Sequence, residues 1–231
     1  CIRSLTLRTT GVAESLLQDR IDTVTVDGIS LAYLPGVDGV DLRLTARAPD
    51  VGSAAALLDR AAGAIRGAIG ECIYGETDAD LASVVLDLCR ARNWRISVAE
   101  SCTGGLLGAR LTAIPGSSDV FVGGVIAYAD EVKARDLDVR EATLREHGAV
   151  SEPVVREMAE GARRRFGTQV ALAITGIAGP GGGTPEKPVG LVWIAAAMDD
   201  RIESRRIQSW GDRAEVRHRA TQAVLELVRA G

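Results

Sequence analysis

Two short, almost unbroken apolar runs, residues 169–174 and 191–197, constrain the fold of this chain more than any other feature. A strand that is apolar on both faces has to be covered on both sides, which calls for a sheet between layers of helices. The neighbouring sequence supplies both. Short strands are expected at residues 95–98 and 121–128, and a more exposed, charge-alternating one at 201–209. Helices are expected at 81–92, stopped by Asn93, and at 106–111, 132–136 and 140–147, the last closed by Gly148. Ser151 and Pro153 open another helix with Val154, Val155, Met158, Ala159 and Ala162 inward. Asp212 with Glu215 opens the last, with Val216, Ala220, Ala223, Val224, Leu227 and Val228 inward. The pattern predicts an α/β fold, a three-layer α/β/α domain over residues 76–231.

The first 75 residues follow a different order. Strands at 2–7, 29–34, 40–48 and 71–74 and helices at 12–21 and 50–69 run β-α-β-β-α-β, with a hairpin turn at 35–39 and Gly70 ending the second helix. That is a small split βαβ, α+β unit. Gly75-Glu76-Thr77 is the expected boundary, giving domains 1–75 and 76–231. With 231 residues, 46% of them hydrophobic, both parts can bury a core. Gly36-Val37-Asp38-Gly39 and Gly67-Ala68-Ile69-Gly70 both spell G-x-x-G, the loop with which KH modules clamp a nucleic-acid backbone. The first sits in the hairpin and carries an acid, and the second is an apolar helix end, so both read as coincidence. Seven arginines against nine acids in residues 1–75, and a net charge of −4 overall, lack the basic excess of a nucleic-acid binder. No nucleic-acid partner is expected.

No apolar run approaches the roughly 18 residues of a membrane span, and no charged-then-apolar leader opens the chain, so no membrane partner and a cytoplasmic location are expected. Cys1 in place of an initiating Met suggests a piece of a longer polypeptide. Cysteines 1, 72, 89 and 102 form no C-x-x-C pair and read as free thiols, Cys89 as part of the core. Two histidines without a cysteine cluster argue against zinc. His147 precedes a helix-ending glycine and His218 lies on an Arg-rich helix, so a Ser-His-Asp triad has no motif support.

Chemistry concentrates at Val98-Ala99-Glu100-Ser101-Cys102-Thr103-Gly104-Gly105, a strand-to-helix turn. The first N–H groups of a helix lack internal partners and its dipole favours negative charge, so an anion or a developing oxyanion is welcome there. Gly104 and Gly105 let a ligand approach the backbone. Taken alone, S-x-T-G-G is an ordinary N-cap. Three loops at other strand ends add to it. Tyr128 and Lys133 offer a phenol and an amine that could both face a serine from another strand, with Lys133 as base or simply as a solvated lysine. Residues 175–185 are Gly-rich and follow a buried strand, yet lack the Lys-Ser/Thr ending of a P-loop and the spacing of a dinucleotide fingerprint. Arg213 and Arg217, four apart at a helix start, would either embrace a phosphate or carboxylate or form a solvated face paired with Glu215.

Ala99-Glu100-Ser101-Cys102-Thr103-Gly104-Gly105, Pro115-Gly116-Ser117-Ser118, Tyr128, Lys133, His147-Gly148-Ala149-Val150-Ser151, Thr175-Gly176-Ile177-Ala178-Gly179-Pro180, Lys187-Pro188-Val189-Gly190 and Gly211-Asp212-Arg213 resemble, in order, the C-terminal domain of the CinA family. Its activity is nicotinamide mononucleotide (NMN) deamidase. Residues 1–75 are similar to the KH-like middle domain of full-length CinA. The resemblance implies hydrolysis of NMN to nicotinate mononucleotide and ammonia, in pyridine nucleotide salvage, with no metal or organic cofactor. It makes Ser101 the nucleophile, Lys133 its general base and Tyr128 a proton-relay or positioning group. Backbone N–H groups near Cys102, Thr103, Gly104 and Gly105 would form the oxyanion hole, Thr175 and Gly176 would line the nucleotide pocket, and Arg213 or Arg217 would hold the phosphate. Cys102, a thiol at a helix start, is a nucleophile candidate in its own right. The family pattern gives the attack to Ser101 and leaves Cys102 to tune or pack the turn. Long CinA chains carry a preceding molybdopterin-binding-like domain tied to ADP-ribose pyrophosphatase activity; nothing in this sequence corresponds to it, so that activity and its metal are not expected. Family members form dimers or larger homo-oligomers. The competing reading is a non-catalytic nucleotide-binding or regulatory module. Ser101, Tyr128 and Lys133 together favour the enzyme, because holding a phosphate needs no such combination.

Overall fold

The computed structural model describes every residue except 23, 25, 26, 199, 200 and 231. It comprises two compact units, Cys1–Val84 and Val85–Gly231.

The first unit runs β1 (Ile2–Thr9), α1 (Glu14–Ile21), β2 (Ile29–Pro35), β3 (Val40–Arg47), α2 (Val51–Ile69) and β4 (Ile73–Glu76). The strands form one antiparallel sheet of order β2-β3-β1-β4. Alternation along the strands turns Leu7, Leu42, Leu44 and Ala46 toward Leu17, Ile21, Leu58 and Ile65 of the two helices, and these form one core. Asp50 starts α2, its carboxylate accepting the Ser53 N–H at 2.9 Å. Gly70 stays right-handed and leads into a 3₁₀ turn, Gly70–Cys72, so the closing strand begins at Ile73 rather than at residue 71. Of the two G-x-x-G segments, one closes the hairpin, Gly36 N–H donating to the Gly39 carbonyl at 2.8 Å, and the other ends α2.

The α3 helix (Leu81–Ala91) begins in the first unit and ends in the second, and Asn93 stops it with a φ of 54°. The second unit continues with β5 (Ile96–Glu100), α4 (Leu106–Thr112), β6 (Phe121–Ile126), α5 (Asp130–Leu137), α6 (Glu141–His147), α7 (Glu152–Phe166), β7 (Val170–Gly176), β8 (Leu191–Met198), β9 (Arg201–Gln208) and α8 (Arg213–Ala230). Its sheet has the order β6-β5-β7-β8-β9, with β5 parallel to β6 and β7, and β8 and β9 antiparallel.

Both apolar runs are covered on both faces. Ala171, Ala173, Ala195 and Ala197 share a core with the predicted inner face of α7, Val154 to Ala162, and α8 packs on β7 and β8 from the other side. The two helix starts differ from each other. Asp212 and Glu215 exchange backbone and side-chain bonds of 2.9 Å, a complete capping box. Ser151 has the N-cap position of α7, but its hydroxyl donates to the Gly148 carbonyl at 2.8 Å and caps nothing. Because β5 lies between β6 and β7, the chain leaves the carboxyl ends of these strands in different directions. That is where open α/β sheets form a ligand crevice.

Candidate active site

The crevice is present at that place, a cleft of about 290 Å³ lined by Ser101 and Cys102 after β5, Tyr128 and Lys133 after β6, and Thr175 and Gly176 at the end of β7. Arg213 from the start of α8 and residues 177–182 of the Gly-rich loop complete the wall. Seven of the expected site residues, far apart in sequence, therefore share one surface. A larger cavity of about 340 Å³ beside α7 is lined by Arg140, Glu157, Glu160 and Arg164, whose charges are already paired.

Ser101 is held at its backbone, its N–H donating to the Ile174 carbonyl at 2.9 Å as if β5 ran one residue further. Lys133 is 1% exposed. A buried amine needs polar partners, and its Nζ has Asp130 Oδ1 at 3.1 Å and the Tyr128 carbonyl at 3.3 Å. Tyr128 is by contrast 62% exposed, and its hydroxyl accepts from Arg213 Nη2 at 3.1 Å. Arg213 Nη1 donates to the Gly179 carbonyl at 2.7 Å, so one guanidinium bridges the β6 loop and the Gly-rich loop. Thr175 turns its hydroxyl to the Ala149 carbonyl at 2.9 Å.

The Ser101 turn differs from its sequence expectation. The N-cap of α4 is Gly105, and no Ser or Thr side chain caps it. The carboxylate of Glu100, fully buried, reaches forward from the strand instead. Its Oε2 accepts from the N–H groups of Gly105 and Leu107 at 3.0 Å each, and its Oε1 from Gly108 at 2.8 Å. The helix start is thus occupied by the protein's own anion. Gly104 N–H is also committed, to the Ser101 carbonyl at 3.1 Å. Thr103, Gly104 and Gly105 are not in the cleft lining; the N–H groups of the two glycines are taken within the turn, and of the three only that of Thr103 is left over among the described residues. The glycine pair serves chain geometry, with φ of 58° and 94°, and not close approach of a ligand.

Cys102 does line the cleft but is buried. Burial first, and the nearby charge of Glu100, push its thiol up to about 12 against the pull of its own N–H and of Arg217 and Arg213. It is a neutral thiol at physiological pH.

Arg217, the other phosphate candidate, is not in the cleft lining; its Nε and Nη2 donate to the Thr103 carbonyl at 3.2 and 2.6 Å, fastening the turn to α8. Neither Arg213 nor Arg217 pairs with Glu215, which meets Arg219 at 3.7 Å. Lys187 resembles the two arginines, its Nζ donating to the His147 carbonyl at 2.6 Å. Among the described residues these three cations meet only neutral oxygens, whereas Arg90, Arg135 and Arg140 in the same unit all have carboxylates. Glu100 and Asp130 are the residues that sequence reasoning passed over. Asp130, three before Lys133 at a helix start, left a readable signal. Among the described residues, no three His, Cys, Asp or Glu side chains gather where they could hold a metal ion, and no helix is long and apolar enough to cross a membrane.

Known proteins carry the same arrangement of segments. The CinA C-terminal domain profile matches residues 78–231, and that of the damage-inducible protein CinA KH domain matches residues 4–75. A CinA-like protein of Gemmatimonas aurantiaca is 54% identical over 230 residues, 99% of this chain and 54% of the relative. One of Salinibacter ruber is 47% identical over 231 residues, 99% of this chain and 56% of its own length. The chain thus spans about half the length of these relatives. Among solved structures, competence/damage inducible protein CihA of Agrobacterium tumefaciens superposes with a TM-score of 0.63 at 39% identity, covering 65% of this chain and 92% of its own. Competence damage-inducible protein A (ComA) of Klebsiella pneumoniae gives 0.63 at 39% identity, over 64% and 93%. With family matches extending from residue 4 to residue 231, this chain belongs to the CinA family.

Proposed function

We propose that the cleft is a serine amidase acting on the carboxamide of an anionic mononucleotide, nicotinamide mononucleotide, and releasing ammonia and nicotinate mononucleotide. The observation that carries this reading is the convergence, on one cleft, of a small hydroxyl, a buried lysine and an arginine that among the described residues is bonded only to neutral oxygens.

Ser101 Oγ attacks the carboxamide carbon while its proton passes to Lys133, acting in its amine form. As the C–N bond breaks, Lys133 Nζ gives that proton to the leaving nitrogen, which departs as ammonia, and an ester to Ser101 remains. Water then attacks the ester carbon, Lys133 takes its proton and returns it to Ser101 Oγ, and the acid is released. The oxyanion of each tetrahedral intermediate is met by the N–H groups of Cys102 and Thr103, which no carbonyl or carboxylate takes among the described residues. Arg213 exchanges the Gly179 carbonyl for the substrate phosphate, a stronger, charge-assisted partner. Tyr128, bonded to Arg213, positions that contact.

Acid quenching during turnover followed by peptide mass spectrometry tests this reading. The expected result is a peptide containing Ser101 heavier by NMN less ammonia. Reversible NMN binding with neither the adduct nor ammonia release would make the cleft a binding or regulatory module.

A further inference from the structure

We propose that Glu100 is a positioning residue for Ser101: by filling the start of α4 with its own carboxylate, it fixes the nucleophile turn and leaves the N–H groups of Cys102 and Thr103 as the oxyanion donors. The proposal rests on the amidase reading of the cleft.

Glu100 is tied into the structure at both ends. Its backbone is the last rung of β5, where its carbonyl accepts the Ala127 N–H at 2.7 Å. Its side chain, fully buried, gathers the N–H groups of Gly105, Leu107 and Gly108. One residue therefore sets the distance between the end of the strand and the start of the helix, and Ser101 to Gly104 are the chain that spans it. A Ser or Thr cap would take one of those donors; the two oxygens of a glutamate take all three.

Two consequences follow for chemistry. With those donors withdrawn, the N–H groups of Cys102 and Thr103, which no carbonyl or carboxylate takes among the described residues, are the ones left for an oxyanion formed at Ser101. The Arg217 guanidinium bonds the Thr103 carbonyl from the other side, so the peptide following the donor is also pinned. The Glu100 charge in addition joins burial in keeping the Cys102 thiol protonated, so that the sulfur beside the nucleophile does not compete with Ser101.

The test compares the parent chain with Glu100→Gln, which keeps the shape but offers one acceptor oxygen, and with Glu100→Asp, which keeps the charge at a shorter reach. Steady-state ammonia release from NMN gives kcat and KM, and the rate of labelling by a fluorophosphonate reports Ser101 without any nucleotide. Misplacing a nucleophile or losing an oxyanion donor costs roughly 10- to 100-fold or more. Glu100→Gln is therefore expected to lower kcat by at least about 10-fold with KM within about 3-fold, and to slow labelling by a similar factor. A merely structural role would lower the thermal midpoint and leave both rates of the folded protein unchanged; that result overturns the proposal. If Glu100→Gln does not fold, Glu100→Asp is read in its place, and if neither folds the role is structural and the proposal fails. A parent that labels at Ser101 but releases no ammonia from NMN defeats the amidase reading, while its labelling rate relative to the variant still decides whether Glu100 positions the serine. A parent that does not label overturns both.

Discussion

Two helix starts flank the cleft, and each silences its own N-terminus in a different way. The start of α4 is filled from behind by Glu100, a strand residue. The start of α8 is filled from within by its Asp212–Glu215 capping box. Either end, left open, would attract an anion through its free N–H groups and dipole. With both closed, anion recognition falls to side chains and to the turn itself. Arg213 projects from the α8 start into the cleft, and the N–H groups of Cys102 and Thr103 precede the α4 start. On the proposed amidase reading the difference divides the tasks: the α4 end carries the reacting atoms and the α8 end the substrate contact.

That division can be broken by substitution. On the proposed reading Lys133→Met removes the base that α5 brings to Ser101 and should lower kcat by about 1000-fold, within the range for a lost general base, with little change in KM. A loss confined to KM would place Lys133 in binding. On the α8 side, Arg213→Ala should raise the KM for NMN about 10- to 100-fold, as expected for charge-assisted bonds to a phosphate, and Arg217→Ala about 3-fold or less. Equal effects of the two would show that Arg217 also leaves its carbonyl for the substrate. Asp212→Ala opens the capping box and should destabilise the fold by about 1 kcal/mol in a thermal or denaturant titration, with kcat/KM nearly unchanged. The smallest effect concerns Cys102. Its thiol titrates near 12 because it is buried, so the thiolate is scarce at pH 8 and grows only as pH rises toward that value. Iodoacetamide at pH 8 should modify exposed Cys1 well before Cys102, and prompt modification of Cys102 would contradict its burial in the turn.

Much of this was legible in the residues because the signals were local or periodic. The apolar runs at 169–174 and 191–197 have no other solution than a covered sheet, and Asp212-x-x-Glu215 is a capping box by spacing alone. Ser101, Tyr128, Lys133, Thr175 and Arg213 could be named because each lies next to the carboxyl end of a strand or at a helix start. The rest depended on partners distant in sequence. Helical spacing puts Arg217 on the face of Arg213, but it cannot say that the Thr103 carbonyl, 114 residues away, lies above it. Glu100 escaped because capping rules look for a Ser, Thr or Asp at the cap and an acid inside the helix, and here the acid precedes the turn. The adjacent glycines 104 and 105 suggested room for a ligand when their demand was for positive φ.

The most direct measurement is ammonia release from NMN by the parent chain beside Ser101→Ala and Cys102→Ala, each first checked for folding. The account predicts that the parent and Cys102→Ala turn over while Ser101→Ala falls to background. Turnover that survives in Ser101→Ala, or that disappears in Cys102→Ala alone, would contradict it.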